Sequence, residues 1–306
     1  MSQIRLANAP VSYGAFEVTV GRNPDVPDGR RVLQLVADAG YEGIDLGPPG
    51  YLGRNGELGG NLAAAGLALA GGYLAVPFSV PGAIGGSMRE LDALLDAFDA
   101  VAATGPALRP RPTIADAGSP ERAGSPRRAA HDRGFGLEER GWRRLADGVL
   151  RLAARTRERG YEPTFHHHAG TYVEAPWEIE RLLEMTDVGL CLDTGHLLIG
   201  GGDPVRAVRD WGARIDHVHL KDANEAIVED VVAESAPMID VWTRGAFVAL
   251  GTGDADVDGV LTGLSELDYR GWIVVEQDRI PGPGDSAERA AGDQAANREF
   301  LRARGL

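Results

Sequence analysis

A chain of 306 residues is long enough for one large α/β barrel or two smaller domains, and ample to bury a full core. Its 31 Lys and Arg against 45 Asp and Glu leave a formal charge of −14, which repels phosphate backbones and anionic membrane surfaces and sets nucleic acid and membranes aside as partners. The one cysteine, Cys191, lies in an apolar run, which excludes a disulfide framework within the chain and suits a reducing, cytoplasmic setting.

Short apolar runs then alternate with amphipathic stretches along the whole chain, the signature of βα units around a parallel sheet. In chain order the strands are expected at Ile4 to Ala9, Gly43 to Leu46, Leu67 to Leu74, Ala107 to Ala115, Glu162 to His168, Val188 to Asp193, Ile215 to Lys221 and Gly271 to Gln277. Helices are expected between and after them, near Arg30 to Ala39, Leu58 to Ala65, Met88 to Ala103, Leu137 to Arg159, Pro176 to Glu184, Pro204 to Trp211, Val257 to Leu267 and Ala287 to Arg302. Eight such pairs predict a single (β/α)₈ TIM barrel over residues 1–306 with no internal domain boundary. The start of the chain has no charged-then-apolar signal pattern, and no stretch approaches the ~18 uninterrupted apolar residues of a membrane span.

Two stretches break the spacing. Arg109 to Gly136 is rich in Pro, Gly, Arg and Ser, and Asp222 to Gly253 mixes apolar and acidic residues. Both follow strands, so a barrel places them on the C-terminal face, where they are candidate lids or substrate walls and equally candidate mobile or dimer-forming loops.

Polar residues at the C-terminal ends of barrel strands call for an explanation. The seventh strand, RIDHVHLKD, alternates with period two, turning Val218 and Leu220 to the helices and His217, His219 and Lys221 into the barrel. A lone histidine is commonly a satisfied core residue, but burying this whole face without partners costs several kcal/mol. The fifth strand, EPTFHHHAGTYVE, turns Thr164, His166 and His168 inward; His166 is the favoured ligand and His168 a catalytic or substrate-facing group. The sixth, VGLCLDTGH, ends in Asp193 with His196 three residues on, and the eighth, GWIVVEQD, presents Glu276 beside Val274. Asp193 or Glu276 alone would read as a helix cap or salt-bridge partner. Together His166, Asp193, His219 and Glu276 form a mixed nitrogen and oxygen set that suits Mn²⁺, Fe²⁺, Co²⁺ or Zn²⁺ better than Mg²⁺ or Ca²⁺, with Mn²⁺ the first choice. Asp45 closes the second strand opposite Ile44 and Leu46 and is a candidate for holding a substrate hydroxyl or for a structural ion pair.

The segments TFHHHAGTYVEAPWEIERLL, GLCLDTGHLLIGGGDP, RIDHVHLKD and ALGTGDADVDGVLTGLSELDYRGWIVVEQDR resemble the xylose-isomerase-like TIM barrel superfamily, and within it the myo-inosose-2 dehydratases. The resemblance is strongest from Thr164 to Arg279, is supported by NAPVSYG and AGYEGIDLG, and is weak from Arg109 to Gly136. It implies metal ligands at His166, Asp193, His219 and Glu276, with His166 standing where the superfamily usually carries Glu, and substrate contacts at His196. Ketose epimerases carry an Arg shortly after the seventh-strand His, where this chain has Glu225. The missing Glu removes half of the epimerase proton-shuttling pair and tips the expectation toward a lyase.

The resemblance further implies a sugar or cyclitol ketone with a leaving hydroxyl on the β carbon, dehydrated through a metal-stabilised enediolate. Glu276 is expected to ligate metal and double as base, Lys221 or His168 to protonate the departing hydroxyl, and Glu174 to hold substrate or cap the following helix. A metal-dependent sugar isomerase or epimerase, or β-elimination from a 3-keto glycoside, share the first deprotonation. An endonuclease IV-like role shares the Asp-Thr-x-His motif but conflicts with the acidic charge. Homo-oligomers are implied by the same resemblance.

Overall fold

The computed structural model describes residues 4–54, 56–101, 108–282 and 285–306. Seven strands alternate with helices through the first three quarters of the chain: β1 Ile4–Asn8, β2 Gly43–Asp45, β3 Ala68–Val76, β4 Arg111–Asp116, β5 Thr164–His166, β6 Gly189–Asp193 and β7 Ile215–Leu220. A small antiparallel pair, β8 Asp222–Ala223 and β9 Phe247–Val248, follows, and β10 Gly271–Val275 completes the set. The closed order β1-β10-β7-β6-β5-β4-β3-β2 is parallel throughout, so the expected (β/α)₈ barrel is the observed one.

Strand periodicity explains which residues face where. Phe165, Leu190, Leu192, Val218 and Leu220 are fully buried against the surrounding helices, each worth about 1.5–3 kcal/mol relative to exposure. The helix Glu139–Glu158 answers with Trp142, Leu145, Val149 and Leu152, three or four residues apart on one face. Opposite residues on the same strands point inward, and register aligns them in layers: His166 with Cys191, Cys191 with His217, and Asp193 with His219.

The N-terminal end of the barrel is closed by Trp272 on β10, which packs with Ala7, Ala9, Ala70 and Val274. Its indole lies over Gly43, where an added Cβ would meet ring carbons at 2.7 and 2.8 Å, so only glycine fits beneath it. The indole N–H donates to Leu108 O at 3.2 Å.

Boundaries shift in three informative places. The fourth strand starts at Arg111, and the expected start at Ala107 and the expected helix end at Ala103 lie outside the described residues. β5 stops at His166, so a turn, not the pleat, presents His168, closed by His168 N–H to Val173 O at 3.0 Å. The two irregular stretches are structured: Pro120–Ala123 and Arg128–His131 in the first, and β8, Glu225–Ala233, Met238–Thr243 and β9 in the second, are ordered elements over the C-terminal face. No helix among the described residues is long and apolar enough to cross a membrane.

Candidate metal and substrate site

Asp193 shows how local folding builds the site. Its Oδ1 caps the helix Thr194–Ile199 by accepting from His196 N–H at 2.8 Å, which leaves Oδ2 for the barrel mouth. There Oδ2 lies 3.2 Å from His166 Nε2, 3.6 Å from His219 Nδ1 and 3.0 Å from Lys221 Nζ. The Thr194 hydroxyl ties the neighbouring strand end, donating to Lys221 O at 2.6 Å and accepting from Lys221 N–H at 2.8 Å. Capping the helix and facing the barrel mouth are therefore not alternatives for Asp193; its two carboxylate oxygens do one each.

His219 is the hub. Its Nδ1 approaches Glu276 Oε2 at 3.2 Å and its Nε2 approaches Asp45 Oδ2 at 3.7 Å. Neither ring nitrogen makes a hydrogen bond among the described residues, and His166 Nδ1 and Asp45 Oδ1 are equally unpartnered although buried. Buried nitrogens converging on carboxylate oxygens without hydrogen-bond geometry fit a cation between them. Donor atoms from Asp45, His219 and Glu276 lie within 4.8 Å of one another, as do those of His166, Cys191 and His219. Burial pushes His166 down to about 4 against the pull of Asp193, so its imidazole is neutral, the form in which it ligates.

Lys221 stands among the acids, with Nζ 2.8 Å from Glu276 Oε2, 3.0 Å from Asp193 Oδ2 and 3.1 Å from Asp278 Oδ1. Burial opposes its charge, but Asp193, Asp278 and Glu276 outweigh burial and hold it well above the ordinary lysine value. The ammonium in turn keeps Asp193 well below the carboxylate range despite burial. Burial lifts Asp45 to about 7 and Asp278 to about 6.

These groups open into a cavity of about 350 Å³. Asp45, His166, His168, His219, Lys221, Glu276 and Asp278 line its floor, with Phe16, Tyr73 and Trp242 among its walls. His168 N–H at Nδ1 donates to Ala169 O at 2.8 Å, leaving Nε2 as its acceptor nitrogen, and its ring stacks on His196 at 3.7 Å between centroids. His196 is fully buried, with Nε2 3.5 Å from Asp278 Oδ2. The third member of the histidine run is structural: His167 Nε2 accepts Asp193 N–H at 3.1 Å.

One expectation needs correction. Glu174 does not reach the cavity. It is fully buried, accepts from Gly170 N–H at 2.9 Å and Arg127 N–H at 3.1 Å, and pairs with Arg122 at 3.2 Å. Glu178, bidentate on Arg122, supplies the helix cap instead by accepting from Glu174 and Ala175 N–H.

Sequence reasoning passed over Asp278 and Cys191. Cys191 was within reach of the parity argument, because it precedes Asp193 by two on β6, whereas Asp278 lies beyond the end of β10. Nothing in the sequence pointed to Tyr73 or Trp242.

Comparison with known proteins agrees with the barrel fold. The family model described as xylose isomerase-like TIM barrel matches residues 33–303. An inosose dehydratase of Bacillus thuringiensis is 38% identical over 167 residues, covering 54% of this chain and 55% of the relative, so the match spans about half the length of that protein. Among solved structures, the IOLI protein with a binding zinc atom superposes with a TM-score of 0.71 at 14% identity, covering 99% of both chains. A D-allulose 3-epimerase from Methylomonas sp. superposes with a TM-score of 0.67 at 15% identity over 99% of both. The two structural likenesses speak to the fold alone.

Proposed function

Since the chain belongs to the xylose isomerase-like TIM barrel family, we propose that it is a divalent-metal-dependent lyase that removes water from a keto-cyclitol such as inosose. The observation that carries this reading is the set of buried, unpartnered histidine nitrogens facing Asp193, Glu276 and Asp45 on the floor of the cavity. The likeness to inosose dehydratases over half the chain supports the substrate class.

His166, Asp193, His219 and Glu276 would hold the metal, with Asp45 close enough to His219 to join them. Bound there, the ion supplies Lewis-acid polarisation of a substrate ketone and its neighbouring hydroxyl. The chain's own residues do the rest. His168, its Nδ1 occupied by Ala169 O, offers Nε2 to the proton on the carbon beside the ketone and returns it to the departing β-hydroxyl, which leaves as water. Lys221 keeps its proton and balances the negative charge of Asp193, Glu276 and Asp278. Glu276, engaged by both Lys221 and His219, serves as ligand. His196, packed on His168, fixes the orientation of that ring. Phe16 and Trp242, 6.2 Å apart, wall the cavity and limit water.

The test is to incubate enzyme loaded with Mn²⁺, Co²⁺ or Zn²⁺ with inosose and a panel of keto-sugars, following the absorbance of an enone or diketone. Solvent deuterium uptake without loss of water would move the assignment to an isomerase or epimerase. Full activity in enzyme shown by elemental analysis to hold no metal would overturn it.

A further inference from the structure

Cys191 is the one cysteine of the chain and takes no part in the proposed dehydration. A buried thiol is commonly a small apolar filler. On β6 that work falls to its neighbours, since Leu190 and Leu192 join the core against the helices while Cys191 turns to the barrel interior. Its register partners there are polar on both sides, His166 on β5 and His217 on β7.

The nitrogens around it are unclaimed. Sγ of Cys191 and one ring nitrogen each of His166 and His219 lie within 4.8 Å of one another. The two histidines are 2% and 3% exposed, and Nδ1 of His166 and both ring nitrogens of His219 have no hydrogen-bond partner among the described residues. The nearby oxygens are already shared, because Lys221 Nζ draws on Asp193 Oδ2 at 3.0 Å and on Glu276 Oε2 at 2.8 Å. They still stand at ligand spacing from the imidazoles. His166 Nε2 and Asp193 Oδ2 are 3.2 Å apart, as are His219 Nδ1 and Glu276 Oε2. Two atoms each ~2.0–2.2 Å from one tetrahedral ion sit about 3.3–3.6 Å from each other. Cys191 lies two residues before Asp193 on β6 and does not line the cavity, so it approaches this floor from the inner side, away from the mouth.

We propose that Cys191 is a sulfur ligand of the floor cation, closing its inner face together with His166 and His219 and leaving the mouth side to substrate. The inference rests on the cation that the proposed lyase requires, and not on which ring reacts. Binding exchanges the thiol proton for the ion and releases that proton to solvent. A thiolate is a soft donor, so it turns an otherwise nitrogen and oxygen set toward Zn²⁺ or Co²⁺ and away from Mn²⁺.

Because the chain holds no other cysteine, any metal–sulfur signal belongs to this residue. The full chain, stripped of metal, is loaded with one equivalent of Zn²⁺ or Co²⁺ and read without substrate. Expected are a sulfur shell at about 2.3 Å in the zinc X-ray absorption spectrum and a near-ultraviolet sulfur-to-cobalt charge-transfer band, both lost in Cys191→Ser. That variant should also lose at least about tenfold in the ratio of Zn²⁺ to Mn²⁺ affinity in competition titrations, with Mn²⁺ binding within about twofold of wild type. A wild-type ion bound at full stoichiometry with only nitrogen and oxygen neighbours overturns the proposal and leaves the metal-dependent lyase standing. Protein that takes up neither ion overturns both. A sulfur shell in protein that does not dehydrate inosose supports this ligand and counts against the lyase. The wild-type spectra give these answers even where Cys191→Ser fails to fold.

Discussion

At the N-terminal end of the barrel Trp272 lies over Gly43 and packs with Ala7, Ala70 and Val274, its one polar atom bonded to Leu108 O. At the C-terminal end β5, β6, β7 and β10 carry or lead into His166, Asp193, His219 and Glu276, with both ring nitrogens of His219 and Nδ1 of His166 unpartnered among the described residues and acids crowded around Lys221. One end buries apolar surface around an indole whose N–H is bonded. The other accepts the cost of buried, unsatisfied ones, and that contrast separates stability from chemistry along strands only five or six residues long.

The sharpest way to break this comparison is His219→Ala. Removing the hub should lower kcat/KM by at least about 10⁴-fold, ~5.5 kcal/mol of barrier, and abolish stoichiometric metal binding measured by elemental analysis. Stability should hold or rise, because a costly buried group is gone. A variant that unfolds instead would place His219 with the structural end. Trp272→Ala is the mirror test. It opens a cavity in the closed end and should cost about 3–5 kcal/mol in chemical denaturation, while the surviving folded enzyme keeps kcat/KM within about twofold.

A third region tests whether the site's supports behave like its floor or like the core. Glu174 is buried with Arg122 and Glu178, and burial, opposed by Arg122, lifts it from the ordinary 4.5 to about 7. A carboxyl whose folded value exceeds its unfolded value contributes stability that is fully present below the lower value and lost as pH rises through the higher one. Stability should therefore fall between pH 4.5 and 7, by up to ~3 kcal/mol at ~1.4 kcal/mol per pH unit. Glu174→Gln should flatten that window in urea titrations. A slope that persists unchanged in the variant would assign it to other groups.

What was legible in the sequence divides along the same line. Parity placed His166, His219 and Glu276 correctly, because a strand's period of two survives whatever packs against it. The same rule reaches Cys191 but not Asp278, which lies three residues past the end of β10. It did not reach His168 by its own logic, since β5 ends two residues earlier and a turn delivers that side chain. Glu174 misled because a carboxylate after a strand looks alike whether it faces a ligand or an arginine 52 residues away. Tyr73 and Trp242 were invisible for a related reason. Their place on the cavity wall depends on how the helix Met238–Thr243 folds back over the mouth, which no local pattern encodes.

The smallest expected effect concerns Glu225, which stands where ketose epimerases carry an arginine. Its carboxylate is 40% exposed, does not line the first cavity, and pairs with Arg127 Nη2 at 2.9 Å. Solvent screening holds such a pair below ~1 kcal/mol. Arg127 has firmer ties, donating to Leu198 O at 2.8 Å and Ile199 O at 2.9 Å at the end of the helix that Asp193 caps and that carries His196. Glu225→Gln should therefore change stability by less than ~1 kcal/mol and leave KM within twofold, whereas Arg127→Ala should cost about 2 kcal/mol and lower kcat through a loosened His196. A KM shift of tenfold or more in Glu225→Gln alone would mean that this position meets substrate after all, which would draw the site closer to an epimerase than its floor suggests.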